Sequence, residues 1–185
     1  RGRGASEGSY LGMGWLEKED VKLWIDTLIE RDSQAEIVLY GESMGAATLM
    51  MTAGDTLPSN VKVLVEDCGY TSAYEMFGDQ LKERFGLPSF PFLPVANIIS
   101  SMRAGYSFSS ADAKKQLETA TLPILFIHGN ADDYVPTYMG VELYESYRGE
   151  KELLLIDGAG HGASSDVDPK TYYSHVFSFI DKYIK

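Results

Sequence analysis

Short apolar runs that alternate with helical segments are the feature of this sequence that most limits its fold. Each run is nearly continuous in apolar residues, as is typical of parallel strands that are buried on both faces. The runs are residues 35–40, 61–65, 124–127 and 153–156. The helical segments are residues 16–31, 46–53, 138–147 and 168–183. This alternation predicts right-handed βαβ units, and therefore an α/β fold with a mostly parallel sheet and flanking helices.

Apolar residues at helical spacing define one face on the first and the last of these helices. On the first helix this face consists of Val21, Trp24, Ile25, Leu28 and Ile29. On the last helix it consists of Tyr172, Val176, Phe179 and Ile180. We expect a single domain over residues 1–185.

Residues 70–120 interrupt the alternation, because they are far longer than the one helix that a crossover between parallel strands needs. The segment is rich in large apolar residues and contains three prolines. Its large apolar residues include Phe85, Leu87, Phe90, Phe92, Leu93, Tyr106 and Phe108. Such an insertion suits a helical lid beside a pocket. The alternative is a long crossover whose aromatic side chains fill the core.

Composition excludes several classes of function. The net charge is −11 and the sequence pI is about 4.6, with no cluster of Lys and Arg, so a nucleic-acid partner is not expected. With one cysteine and three histidines, the chain has no internal disulfide, and we expect no metal site. Cys68 is expected to be a small buried residue at a strand end. No apolar run approaches the ~20 residues of a membrane span.

The sequence Gly41-Glu42-Ser43-Met44-Gly45 matches the pattern G-x-S-x-G and lies between an apolar run and a helix of small residues. This context is that of a nucleophile elbow, in which a tight turn from strand to helix exposes the serine hydroxyl. We expect glycines to be the residues that fit this turn, Ser43 to be the nucleophile, and the N–H of Met44 to face a developing oxyanion. The alternative is a Gly-Ser turn that only starts a helix.

A serine nucleophile needs a base, which near neutral pH is a histidine, and a carboxylate that orients the base. His161 lies in a glycine-rich loop just past the fourth run, at the sheet edge expected for Ser43. His128 ends the third run, where a hydrogen-bonded structural role is expected, and His175 lies on a flank of the final helix. For the carboxylate, Asp132 and Asp133 follow the third run and Asp67 follows the second, so the alternatives stay open on position alone.

Four motifs in this order resemble those of the α/β-hydrolase superfamily, within the group similar to serine aminopeptidases and bacterial cell-surface hydrolases. They are Arg1-Gly2-Arg3-Gly4-Ala5-Ser6, Gly41 to Gly45, His128-Gly129 through Asp132 to Val135-Pro136, and Gly160-His161. The resemblance implies that Asp132 is the acid, in the order Ser43, Asp132, His161. It also implies hydrolysis of esters, amides or thioesters through an acyl-enzyme, without a metal or an organic cofactor.

The sequence departs from this resemblance at its N-terminal end. Family members have about a hundred further residues before the loop at residues 1–6, and those residues supply four strands and a second oxyanion donor. We therefore expect this chain to be one part of a larger hydrolase. Its strand at 36–40 would then have an open edge, which predicts a homodimer or pairing with the missing segment. The resemblance covers both cytoplasmic and membrane-anchored enzymes, so it leaves the compartment open.

Two functions from different classes follow. The first is a carboxylesterase-like serine hydrolase of a small acyl substrate, with aminopeptidase or thioesterase activity also compatible. The aromatic insertion suggests an apolar acyl or aryl group, with Phe90, Phe92 and Tyr134 as expected substrate-binding residues. The second is a binding or scaffolding module, or an inactive part of a hydrolase, that keeps the fold without turnover.

Overall fold

A computed structural model describes all of residues 1–185 and contains eight helices and four strands. In chain order these are α1 (Glu17–Arg31), β1 (Ile37–Glu42), α2 (Met44–Ala53), β2 (Val61–Asp67), α3 (Ala73–Phe85), α4 (Ser89–Ala104), α5 (Ala113–Leu117), β3 (Ile124–Gly129), α6 (Thr137–Ser146), β4 (Lys151–Ile156), α7 (Ser164–Val167) and α8 (Pro169–Ile180). All four strands pair in parallel, in the order β1-β2-β3-β4. The predicted α/β fold with a parallel sheet is confirmed.

Both faces of the sheet are buried, because helices cover each of them. Alternate residues of a strand point to opposite faces, so Leu64 packs into one core while Val63 and Val65 pack into the other. The larger core lies between the sheet and helices α1, α2, α5 and α6, whereas the smaller core lies beneath α8. This two-sided burial is the reason for the apolar runs in the sequence.

The amphipathic faces predicted for the end helices have different outcomes. On α8, Tyr172, Val176 and Phe179 are buried, as predicted. On α1, Ile25 is buried, but Trp24 is 67% exposed. Leu28 is exposed as well, so the predicted face of α1 is only partly a core face, because α1 rests on α2 and makes little contact with the sheet.

Residues 70–120 form α3, α4 and α5, which leave the sheet after β2 and return to it before β3. The ends of the part that contains α3 and α4 meet, since Ser72 and Asp112 form an antiparallel bridge and Ala73 N donates to Ala111 O at 2.8 Å, and α5 follows this bridge and packs on α2. Tyr106 is buried and Phe108 packs edge-on against Phe77 at 4.8 Å, so part of the insertion fills core. Other apolar side chains of the insertion remain exposed, and its role as a lid stays a prediction.

Strand β1 is an edge strand, because β2 is its single neighbour in the sheet. Tyr40 on this strand is half exposed, and its hydroxyl lies 2.5 Å from that of Tyr172 on α8. The free backbone groups of this edge can accept a further strand. The association predicted through this edge stays a prediction. None of the helices combines the length and apolar character that crossing a membrane requires.

The two-sided core gives a matched pair of leucine substitutions. Leu125 on β3 is fully buried, whereas Leu155 on β4 is 43% exposed. We expect Leu125→Ala to lower the free energy of unfolding by about 2–5 kcal/mol, because it leaves a cavity in the smaller core. Leu155→Ala should lower it by less than about 1 kcal/mol. Urea unfolding followed by circular dichroism measures both, and equal losses would contradict this description of the core.

Candidate active site

Ser43 occupies a sharp turn between β1 and α2. Its backbone has φ 53° and ψ −118°, a positive φ that residues other than glycine rarely adopt. The turn is held by hydrogen bonds from Ser43 N to Asp67 O at 2.8 Å and from Ala47 N to Ser43 O at 3.0 Å. A strained residue that its surroundings hold in this way is typical of functional sites.

The two glycines of the motif differ in what the turn requires of them. A Cβ on Gly41 would lie 2.7 Å from the carbonyl carbon of Gly45, which is closer than any real Cβ contact, so Gly41 is required by the tight turn. A Cβ on Gly45 would meet no atom within 4 Å. The expectation that glycines fit this turn for steric reasons is therefore right for Gly41 and wrong for Gly45.

The side chains of Ser43, His161 and Asp132 form one chain of hydrogen bonds. The Ser43 Oγ lies 2.8 Å from His161 Nε2, and His161 Nδ1 lies 2.8 Å from Asp132 Oδ2. The His161 side chain is 23% exposed and that of Asp132 is fully buried, so the acid is shielded while the base faces the opening. Three residues from three different loops thus meet at the carboxyl ends of the parallel strands.

Asp132 is held by more than the histidine. Its Oδ1 accepts hydrogen bonds from the N–H groups of Tyr134 and Val135, each at 2.9 Å. Burial alone raises the pKa of Asp132, but hydrogen bonds from His128, His161 and the Val135 N–H outweigh it and hold the pKa well below its ordinary value. Asp132 is therefore ionised at neutral pH, so His161 Nδ1 donates to it and Nε2 is free to accept the serine proton.

The loops that carry the acid and the histidine are joined to each other. A Cβ on Gly129 would lie 2.2 Å from Ala159 O, so only glycine allows the two loops to approach this closely. Ala131 N donates to the same carbonyl at 3.0 Å, and the Asn130 side chain bonds both Asp157 and the Gly158 N–H, each at 2.7 Å. These bonds fix the separation of Asp132 and His161.

The competing residues of the sequence analysis lie elsewhere. The carboxylate of Asp67 accepts hydrogen bonds from Tyr172 OH at 2.9 Å and Ser164 Oγ at 3.2 Å, with no hydrogen bond to a histidine. The Nε2 of His175 on α8 lies 3.0 Å from Oε2 of Glu152 on β4, and His175 makes no contact with Ser43 or Asp132. Asp133 is exposed beside Asp132.

His128 has the buried structural position that was expected, but it also touches the acid. Its Nε2 lies 2.9 Å from Val135 O and 3.4 Å from Asp132 Oδ2. Since a carbonyl only accepts, Nε2 carries a proton, and it lies beside the same Asp132 oxygen that His161 contacts. Position in the motif gave no sign of this contact.

The remaining predicted site residues are divided between the opening and the surface. Met44 begins α2, where the first N–H groups of a helix have no partner within it, so its N–H is available to an oxyanion. The Tyr134 ring lies 4.9 Å from the His161 ring, centre to centre. Phe90 and Phe92 lie exposed on α4, and no aromatic contact joins them to Tyr134 or His161. Substrate binding by these three residues stays a prediction.

Arg84 is a neighbour of the site that sequence reasoning missed. Its guanidinium carbon lies 4.9 Å above the Tyr134 ring, so the end of α3 borders the opening beside His161. No spacing in the sequence joins residues 84 and 134, because the contact depends on how the insertion folds back.

Cys68, Asp132 and His161 are the one group of metal-ligand type, with ligand atoms within 4.8 Å of one another. Burial raises the pKa of the Cys68 thiol, which therefore stays protonated and is a poor ligand. His161 Nδ1 and Asp132 are already bonded to each other. The donor set therefore fits a hydrogen-bonded triad better than a metal centre.

Glu66 is a further buried carboxyl, on β2 next to Asp67. Burial raises its pKa to about 8, against an ordinary value of 4.5, although the charge of His128 and a hydrogen bond from Gly69 N oppose the shift. Its Oε1 has no hydrogen-bond partner in the protein. Glu66 is thus neutral over much of the physiological pH range.

A parallel sheet with Ser43, His161 and Asp132 at one edge defines the class of the molecule as α/β-hydrolase fold, of the serine hydrolase type. Within this class the chain belongs to the prolyl oligopeptidase family, which it matches over residues 6–185. Family and fold support a hydrolase of the esterase or peptidase type.

Individual relatives cover nearly all of the chain. The YqkD protein of Bacillus subtilis is 30% identical over 182 residues, which is 98% of this chain and 60% of that protein. Among solved structures, the esterase Pf2001 of Pyrococcus furiosus has a TM-score of 0.77 at 21% identity, covering 100% of this chain and 69% of the esterase. The acylaminoacyl peptidase of Pyrococcus horikoshii has a TM-score of 0.72 at 15% identity, and the match covers 94% of this chain and 29% of the peptidase. The chain therefore spans 60% of the length of YqkD, and it spans 57% of the length of another relative, the YfhR protein of Escherichia coli.

The unequal glycines of the elbow lead to one prediction. We expect Gly41→Ala to lower the free energy of unfolding by more than about 1 kcal/mol and to disturb the Ser43 turn, because its Cβ would overlap the backbone of Gly45. Gly45→Ala is the matched control, and it should be neutral or slightly stabilising because alanine favours a helix. Urea unfolding measures both. Similar effects of the two variants would show that the turn is not limited by the contact at Gly41.

The buried carboxyl leads to a pH prediction. Above the ordinary pKa the unfolded chain loses the Glu66 proton, whereas the folded chain keeps it up to about pH 8, so folding stability falls as pH rises from about 4.5 to about 8. Glu66→Gln removes this titration, so the free energy of unfolding of the variant should increase relative to the parent over that range. Unfolding at several pH values measures it, with exposed Glu118→Gln as the control. A difference that is the same at each pH would contradict the raised pKa.

Proposed function

We propose that the protein is a serine hydrolase that cleaves an ester bond through an acyl-enzyme, with Ser43 as nucleophile, His161 as base and Asp132 as the orienting acid. The observation that carries the proposal is the unbroken hydrogen-bond chain from Ser43 Oγ through His161 to Asp132, with both distances 2.8 Å. Amides and thioesters are compatible with the same triad. Sequence family and fold support a hydrolase, and the bond that is cleaved is part of the proposal.

The first half-reaction forms the acyl-enzyme. His161 Nε2 takes the Ser43 proton as Oγ forms a bond to the acyl carbon, and the carbonyl electron pair moves onto oxygen. The N–H of Met44 donates to that oxyanion at the start of α2, where the helix dipole also favours negative charge. The tetrahedral intermediate then expels the alcohol, which receives the proton from His161.

The second half-reaction releases the acid. Water gives a proton to His161 Nε2 as its oxygen attacks the acyl carbon, and collapse of the second intermediate returns the proton to Ser43 Oγ. Throughout, the ionised Asp132 carboxylate accepts a hydrogen bond from the Nδ1–H of His161 and stabilises the imidazolium. The buried position of Asp132 and its two backbone N–H donors keep it in the form that this step needs.

Tyr134 and the insertion border the opening, which supports a substrate with an apolar acyl or aryl group. The Tyr134 ring packs beside His161 and offers a flat surface for the acyl or the alcohol part. A binding or scaffolding role without turnover is the competing hypothesis, and labelling of the serine separates the two.

Two measurements on the full-length protein test the proposal. A fluorophosphonate probe should label Ser43, and a series of p-nitrophenyl acyl esters should be hydrolysed with a preference that depends on chain length. Ser43→Ala should abolish labelling, and His161→Ala should lower turnover by at least about 10³-fold, because the serine loses its base. His175→Ala is the matched histidine control and should retain both activities, since its partner is Glu152.

The outcomes separate the hypotheses. Labelling that persists in Ser43→Ala would contradict the nucleophile, and equal losses in His161→Ala and His175→Ala would contradict the base. A folded protein that neither labels nor hydrolyses any ester of the series would favour the scaffolding role.

A further inference from the structure

Helix α4 presents its apolar side chains to solvent. From Phe92 onward, large apolar residues recur every three or four positions, which places them on one face of the helix. The exposed fractions are 46% for Phe92, 53% for Val95, 59% for Ile98, 49% for Ile99 and 82% for Met102. We call these five residues the α4 outer face.

The opposite side of α4, which packs on the protein, is more polar. Leu93 is its one buried residue. Asn97 Nδ2 donates to Ser109 Oγ at 3.1 Å, and Ser100 Oγ donates to Tyr106 O at 2.8 Å. A surface helix of a globular protein normally has its apolar stripe toward the core and its polar residues toward water. The reversed order on α4 indicates that the outer face is covered by something apolar.

Charge around this face differs from that of the rest of the molecule. The chain has a net charge of −11, yet it contains no Asp or Glu from residue 84 to residue 111. Lys82, Arg84 and Arg103 are exposed next to the apolar residues, and Glu83 lies between the first two; on its other side Lys82 shares a groove with Glu75, Asp79 and Glu142. Exposed Phe85 and Phe90 extend the apolar surface between α3 and α4. The combination of apolar side chains with basic residues at their border is typical of helices that lie on an anionic lipid surface.

The same surface borders the opening of the site. Arg84 lies above the Tyr134 ring at 4.9 Å, and that ring lies 4.9 Å from His161. A lipid surface in contact with Phe85 and the α4 outer face would therefore lie near the opening, and ester substrates dissolved in it would have a short path to His161.

We propose that the α4 outer face, with Phe85 and Phe90 and the cations Lys82, Arg84 and Arg103, docks on an anionic lipid bilayer. The helix lies in the plane of the surface, with its apolar side chains among the acyl chains and its cations at the headgroups. A second copy of the chain fits less well, because two such faces in contact would bring the same cations together. The proposal concerns binding and is independent of the proposed hydrolysis.

The test is co-sedimentation of the full-length protein with vesicles of phosphatidylcholine alone, and of phosphatidylcholine mixed with phosphatidylglycerol. The parent should bind the mixed vesicles more tightly, and added salt should weaken that binding. Ile98→Ser with Met102→Ser should reduce binding at least about tenfold, because it removes apolar surface that enters the bilayer. Lys82→Ser with Arg103→Ser should reduce binding to the mixed vesicles by about tenfold while leaving the weak binding to phosphatidylcholine unchanged.

The matched control is Leu23→Ser with Trp24→Ser, which removes exposed apolar residues of α1 (65% and 67%) and should leave vesicle binding unchanged. Ser43→Ala should also bind as the parent does, so a failed proposal on function leaves this result intact. Parent protein that does not bind mixed vesicles would overturn the proposal, as would α1 and α4 variants with equal losses. A dimer in solution that Ile98→Ser with Met102→Ser converts to monomer, without vesicle binding by the parent, would assign the face to a second copy instead.

Discussion

The buried carboxylate of Asp132 is the group on which the arrangement of the site depends. One of its oxygens accepts two backbone N–H groups of its own loop, and the other accepts His161. A carboxylate placed away from water in this way is stable only because these donors replace the lost hydration. The same donors keep it ionised, which selects the histidine tautomer that can accept from Ser43. Local backbone geometry, the charge of Asp132 and the tautomer of His161 are thus consequences of one set of hydrogen bonds.

Much of the fold follows from the sequence because burial on two faces leaves an unmistakable pattern. All four strands and the four predicted helices occur within a few residues of their expected ends. β1 and β2 extend two residues further, through Glu42 and Asp67, because polar residues at the carboxyl end of a parallel strand still pair with the neighbouring strand. Helices α5 and α7 have five and four residues, too few for a periodic signal, and prolines lie near the start of α4, so the sequence predicted the insertion but not its course.

The site was predictable in part. The position of Ser43 followed from the strand–glycine–serine–glycine–helix context, and that of His161 from its loop at the same sheet edge. Asp67 and Asp132 could not be separated by position, because both follow a strand and both loops open on that edge. The structure separates them by partners, since Asp67 bonds Tyr172 and Ser164 while Asp132 bonds His161. The contact of Arg84 was beyond prediction because it depends on how the insertion packs, and that of His128 because the loop after β3 folds back onto the end of its own strand. Periodicity shows which residues share a face of a helix but not whether that face points to the core or to solvent. Trp24 and the apolar residues of α4 are examples, because they share a face with other apolar residues and are nevertheless exposed.

The joined ends of the insertion give the molecule a modular surface. Because the bridge between Ser72 and Asp112 brings the ends of this segment together, helices α3 and α4 leave the body of the molecule and return to it at one point. This segment also touches the site, because Gln80 Nε2 donates to Tyr134 O at 2.5 Å, whereas the loops of Asp132 and His161 are fastened to each other by Asn130 and Ala159. A change in the sequence of α3 and α4 can therefore reach the site through Tyr134, while the hydrogen bonds between the Asp132 and His161 loops stay in place.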